Sequence, residues 1–161
     1  MAALSGAPAR GATAADTGGG GGPGRVIDLA GVRRVYGSGE GAVQALSDID
    51  LGVAAGEFVV VLGPSGCGKT TLLNVIGALD AASGGRVVVG GVEISGADRH
   101  ALARFRRRTV SFIFQTFNLF PALTAIENVE VGANVARRKS SAAAAVEMLN
   151  RVGGGHRLRH F

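Results

Sequence analysis

The chain has 161 residues, 47% of them hydrophobic and 18% charged, with a formal net charge of +5. That length holds one domain of ordinary size with a real core. No apolar run approaches the ~18 residues of a membrane-crossing helix, so a membrane connection is expected to run through a partner. The single cysteine, Cys67, excludes an internal disulfide and suits a reducing, cytosolic compartment.

The 27 glycines exceed the ~7% average, and the excess has a local source. Residues 1–24 are largely Ala and Gly, with a Gly18 to Gly22 run before Pro23. They carry too little apolar surface to offset the entropy of ordering them, so they read as a disordered leader. They lack the apolar stretch of a secretory signal.

From residue 25 the pattern becomes strand-like. Val26 to Leu29 begin a short strand, and Val32 to Tyr36 lead into a turn over Gly37 to Gly41. Ile49, Leu51 and Val53 alternate with Asp50 and Gly52, which predicts a strand with one wet face and hence an antiparallel layer. Phe58 to Leu62 is apolar at every position, the pattern of a strand buried on both faces.

A helix is predicted from Thr71 to about Leu79, ended by the Ser83, Gly84, Gly85 turn. Arg86 to Ile94 reads as a hairpin, with Gly90 and Gly91 as its two-residue turn. Ser95 and Asp98 have capping-box spacing, and the helix they open places Leu102 and Phe105 on one face. Val110 to Phe114 reads as another largely apolar strand. Thr124 and Glu127 repeat the capping-box spacing before a helix in which Ile126, Val129, Ala133 and Ala136 recur at helical intervals. A last helix from about Ser141 carries Ala142, Val146 and Leu149 on one face, with Gly153 to end it.

Basic residues concentrate at Arg104, Arg106, Arg107 and Arg108, at Arg137, Arg138 and Lys139, and at His156, Arg157, Arg159 and His160. No aromatic residue interleaves them for stacking except Phe105, which its helix turns inward. A solvated face or a docking surface for a partner therefore fits better than a nucleic-acid site, and no nucleic acid is expected.

Gly63, Pro64, Ser65, Gly66, Cys67, Gly68, Lys69 and Thr70 match G-x-x-x-x-G-K-[ST] between an apolar segment and a helix. The glycines let backbone N–H groups wrap a phosphate. Lys69 supplies a cation for the β- and γ-phosphates, Thr70 a hydroxyl for Mg²⁺, and the helix its positive end. Cys67 qualifies by its small size.

The loop as it stands, GPSGCGKTTLL, and the later stretch FIFQTFNLFPALTAIENV resemble the Walker A and Q-loop regions of the ATP-binding cassette (ABC) family. The resemblance covers roughly residues 26–161. It implies an α/β P-loop NTPase core with an antiparallel β layer (residues 25–115) and the start of a helical subdomain (116–161), incomplete at the C-terminus. It extends the ATP-binding set from Gly63–Thr70 to Thr71. Gln115, 46 residues after Lys69, matches the Q-loop glutamine, which would coordinate Mg²⁺ or the attacking water. Lys69 and Gln115 are thus the catalytic candidates, and Thr70 and Gln115 the metal candidates. Tyr36 matches the A-loop aromatic that stacks on adenine.

Within the family, ALARFRRRTVSFIFQTFNLFPALTAIENV is most similar to ATPases of the lipoprotein-releasing, macrolide-exporting and cell-division type. That resemblance implies a cytoplasmic ATPase, peripheral at the inner face of the cell membrane. It would dimerise with a second copy and couple ATP to export through a transmembrane permease subunit. No LSGGQ-like motif and no strand ending in Asp-Glu occur in the 161 residues, and His156 and His160 read as linker residues. The expectation is a chain that binds Mg-ATP without turning it over.

Overall fold

The computed structural model describes residues 24–135 and 142–160. The leader expected over residues 1–24 lies outside them except for Gly24, as do Ala136, the basic residues Arg137, Arg138 and Lys139, and the expected helix start at Ser141. The chain divides after Thr109 into two compact units.

In the first unit, β1 (Arg25–Tyr36) and β2 (Val43–Ala54) form a long antiparallel pair. The two short strands expected before the first turn are one strand of 12 residues. It is continuous because bulges absorb the mismatch, one of them between Leu29 and Val32. There Gly31 takes φ +56° and its N–H donates to Asp50 Oδ1 at 2.7 Å, a polar side chain replacing the ladder. β3 (Gly84–Val89) pairs with the other edge of β1, and β4 (Val92–Glu93) with β3, giving the order β2-β1-β3-β4. Gly90 and Gly91 turn the β3–β4 hairpin with φ +57° and +75°, as the paired glycines predict.

One face of this sheet holds the core: Leu29, Val32, Leu46, Val53, Val87 and Val89 are buried, together with Ile94 and with Val75 and Phe105 from two helices. α1 (Lys69–Ile76) stops earlier than its sequence suggests. Leu79 and Asp80 both donate their N–H to Asn74 O, and Ala78 adopts the left-handed φ of +56°. The chain therefore turns off the helix well before Ser83. α2 (Arg99–Arg108) buries Phe105, and Arg106 Nη1 donates to Ala78 O at 2.7 Å. Its cap is Asp98, whose Oδ1 accepts from Ala101 N at 2.8 Å. The expected Ser95–Asp98 box does not form, because Ser95 Oγ is occupied by Val87 N and Glu93.

Two expected strands are absent. Residues 57–64 and 110–114 carry no strand pairing, because a strand exists only where a neighbour takes its N–H and C=O groups, and the sheet of the described residues includes neither segment. Residues 58–62 keep the period of two: Phe58, Val60 and Leu62 are 89%, 61% and 85% exposed, while Val59 and Val61 are more covered. Phe112 and Phe114 likewise stack at 5.6 Å, as side chains two apart on an extended chain do.

In the second unit, α3 (Ala125–Val135) and α4 (Ala142–Arg151) pack against each other. The Thr124–Glu127 box forms reciprocally: Thr124 N and Oγ1 donate to Glu127 Oε2 at 2.7 and 2.6 Å, and Glu127 N donates back to Thr124 Oγ1. These bonds hold the Glu127 carboxyl below the usual range. Ala125 and Ile126 give their N–H groups to the carbonyls of His160 and Leu158, so the tail covers orphan donors of the helix start. On α4 the inward residues are Ala145, Val146 and Leu149, whereas Ala142 is exposed in the first turn. Gly153, at φ +77°, ends the helix, and Gly154 N caps Leu149 O. No described helix is long and apolar enough to cross a membrane.

Candidate functional site

After β2 the chain turns at residues 55–56, where Glu57 Oε2 accepts from Ala54 N at 2.8 Å. It then runs extended to Pro64 and wraps through Ser65, Gly66, Cys67 and Gly68 into α1. Gly68 sits at the N-cap with φ +94°. A Cβ there would come within 2.6 Å of Ala45 O, so the loop is seated on the backbone of β2 and only glycine fits. At the other end of the loop, a Cβ on Gly63 would meet Cys67 Sγ at 2.7 Å, and the two ends close on each other.

The ring thus formed encloses a charge. Lys69 Nζ donates to Gly63 O at 2.8 Å and Pro64 O at 2.7 Å, with Cys67 Sγ at 3.6 Å. Among the described residues no carboxylate pairs with it. An ammonium held by two carbonyls and a thiol sulfur, at the start of a helix whose first N–H groups lack intrahelical partners, is a site of positive potential that suits an anion. The exposed hydroxyl of Thr70 has no hydrogen-bond partner among the described residues, while Ser65 is exposed and Thr71 half-buried.

No cluster of three or more His, Cys, Asp or Glu side chains exists among the described residues. Any metal held here would take most of its oxygens from a ligand. That donor set fits Mg²⁺, which is commonly bound by one or two protein oxygens plus substrate phosphates.

Tyr36 ends β1, in register with Val43 of β2, two residues before the Ala45 carbonyl on which Gly68 rests. It thus lies at the loop's end of the sheet. Its hydroxyl donates to Asp80 Oδ2 at 2.6 Å. Arg34 binds the same carboxylate with both ends, Nε to Oδ2 at 3.0 Å and Nη2 to Oδ1 at 2.6 Å, and its guanidinium carbon stands 4.4 Å from the Tyr36 ring centroid. Burial alone would raise the Asp80 carboxyl, but the Tyr36 hydroxyl, the Ala81 N–H and the Arg34 charge together hold it below its ordinary value. Ser83 Oγ accepts from Val35 N at 3.0 Å and fastens the same strand end.

Sequence reasoning missed Asp80, Arg34 and Ser83. They act through Tyr36 and Val35 across 44 to 48 residues, and no local spacing signals such contacts. Gln115 belongs to the second unit. It is exposed, in a bend after the stacked Phe112 and Phe114, and has no hydrogen-bond partner among the described residues. The structure gathers Tyr36 and residues 63–71 in the first unit, while Gln115 belongs to the second.

Comparison with known proteins identifies the family. The family model described as ABC transporter matches residues 46–160. The chain is 44% identical over 140 residues to the macrolide export ATP-binding/permease protein MacB of Marinobacter nauticus, covering 86% of this chain and 22% of that protein. It is 45% identical over 132 residues to the lipoprotein-releasing system ATP-binding protein LolD of Anaeromyxobacter dehalogenans, covering 80% of this chain and 55% of that one. Among solved structures, the dimeric post-hydrolysis state of the ATP-binding cassette MJ0796 bound to ADP and Pi superposes with a TM-score of 0.75 at 36% identity, over 83% of this chain and 60% of that chain. The chain therefore spans no more than about three fifths of these relatives. Its α/β fold is that of part of such a cassette, and the chain belongs to the ABC transporter family.

Proposed function

We propose that this chain is the nucleotide-binding part of an ABC transport ATPase, taking ATP with Mg²⁺ in the loop of residues 63–71. The observation that carries the reading is the Lys69 ammonium, enclosed by its own loop's carbonyls and paired with no carboxylate among the described residues. Phosphate oxygens would draw it off Gly63 O and Pro64 O and give it charge-assisted bonds instead. Thr70 would give its hydroxyl to Mg²⁺, and Thr71 and the backbone of Ser65 to Cys67 would complete the phosphate contacts. Tyr36 would offer adenine the ring face that Arg34 leaves open. Gln115 would join the site as the residue that senses Mg²⁺ or the attacking water.

Hydrolysis, assembly with a second ATPase copy, a transmembrane permease partner and a station at the inner face of the membrane follow from likeness to the MacB and LolD proteins, and are proposed here for the protein as a whole. Titration of the chain with Mg-ATP tests the core of the reading. Lys69→Ala should weaken binding at least tenfold, and Arg157→Ala, in the tail, should leave it unchanged. Equal, small effects would remove the loop from the proposal.

A further inference from the structure

We propose that the outer face of α2 is a docking surface for the anionic phospholipid headgroups of a membrane. α2 carries Arg99, His100, Arg104, Arg106, Arg107 and Arg108 in ten residues and no acidic side chain. Arg106 is spent on Ala78 O, on the inner side with buried Phe105. Arg99, His100, Arg104, Arg107 and Arg108 are all exposed. His100, Arg104, Arg107 and Arg108 stand at i, i+4, i+7 and i+8, one continuous stripe.

The arginines of the sheet provide the contrast. Arg25, Arg33, Arg34 and Arg86 each have a carboxylate within 4.0 Å, whereas among the described residues none of the four exposed α2 arginines has one. The nearest acid, Asp98, is engaged as the helix cap. Like charges at i, i+4 destabilise a helix. Three arginines in the last turn complement the helix dipole, but that accounts for neither Arg104 nor Arg99 at the other end. The array is held in place by the buried Phe105, the Asp98 cap and the Arg106 bond. An open cleft of about 620 Å³ between the end of α1 and this helix, lined in part by Arg99 and His100, gives a phosphate group room beside the stripe. The one acid lining the cleft, Asp80, is already bound to Arg34.

The composition of the face selects the occupant. A protein partner needs an apolar centre depleted of charge, and the exposed positions of α2 have no apolar side chain among them. Nucleic-acid binding by stacking needs exposed aromatics, and the helix's only aromatic is buried. A headgroup layer needs cations alone, and arginine binds phosphate with two parallel bonds. That a membrane is within reach rests on the transporter reading above, yet the test has its own readout.

The full chain is sedimented with vesicles of phosphatidylcholine alone and of phosphatidylcholine mixed with phosphatidylglycerol, at low and high salt. Binding should occur only to the mixed vesicles and disappear in high salt. Replacing Arg104, Arg107 and Arg108 together by Gln should weaken it on the order of a hundredfold, about fivefold per arginine, with Mg-ATP binding retained. The single Arg104→Gln, with its smaller fivefold loss, keeps the test open should the triple variant fail to fold. Absent vesicle binding, or binding that the Gln substitutions leave intact, overturns the proposal. So does tighter binding to a single-stranded oligonucleotide that the same substitutions abolish. Loss of Mg-ATP binding in Lys69→Ala with vesicle binding unchanged separates the two readings.

Discussion

Tyr36 donates its hydroxyl to Asp80 Oδ2 at 2.6 Å, which joins the end of the first strand to the turn leaving the helix that follows the glycine loop of residues 63–68. Arg34 completes the contact, bound to the same carboxylate and lying over the tyrosine ring. The aromatic group is thereby fixed by its polar tip and one face, and it remains 38% exposed.

Tyr36→Phe should accordingly lower stability by about 1–2 kcal/mol, the lower part of the range for a hydrogen bond to a charged acceptor because this one is exposed, while changing ATP affinity little. Tyr36→Ala should lower both, the affinity by about tenfold or less for one lost stacking contact. Urea unfolding beside nucleotide titration distinguishes the two effects, and a Phe variant with selectively weakened ATP binding would show that the hydroxyl touches the ligand.

Asp80 makes the same cluster sensitive to acid. Its folded-state pKa is depressed, so its contribution is complete above the unfolded value of about 3.9 and is lost as pH falls through the lower folded value. Asp80→Asn should be less stable than the parent at neutral pH, and the gap should close in that acid window. A gap independent of pH would mean that the carboxylate charge is irrelevant to the cluster.

The loop glycines differ in what they tolerate. Gly66→Ala meets no atom within 4 Å but has to adopt φ +80°, at a cost of about 1–2 kcal/mol. Gly68→Ala adds a clash with the Ala45 carbonyl at 2.6 Å to φ +94° and should cost at least about 3 kcal/mol. Comparison of urea midpoints settles the order, and equal costs would mean that the loop does not rest on β2.

Asn128 organises the second unit. Its Oδ1 accepts from Phe120 N at 2.8 Å, and its Nδ2 reaches the carbonyls of Phe120, Leu123 and Thr124 at 3.0 to 3.2 Å. Asn128→Ala should cost about 2–3 kcal/mol, since several backbone groups lose their partner at once. Hydrogen exchange should quicken at the Phe120 amide, and unchanged protection there would refute the assignment.

The open segment before the loop predicts behaviour in solution. Phe58 and Val60 are exposed on an unpaired extended stretch, the usual template for association. Phe58→Ser with Val60→Thr should reduce aggregation of this chain, as read by light scattering, and shift stability by no more than about 0.5 kcal/mol.

The sequence alone determined the parts whose physics is local. The spacing of Gly63, Gly66, Gly68 and Lys69 specifies the glycine loop that closes around the lysine ahead of α1, because backbone dihedrals and one cation are nearly all such a loop needs. The Gly90–Gly91 turn, the Thr124–Glu127 box and the inward Phe105 followed from short-range rules of the same kind. Tertiary structure decided what depends on distant partners. Phe58 to Leu62 reads as a buried strand and Val110 to Phe114 as a largely apolar one, but a strand is made by its neighbour, and the sheet of the described residues pairs with neither. Asp80 and Arg34 became site residues only when the fold set them against Tyr36, and Ser95 lost its capping role because Val87 and Glu93 claimed its hydroxyl first. Hydrogen-bond capacity is finite and shared across the whole chain, so the fold assigns it where local spacing has no say.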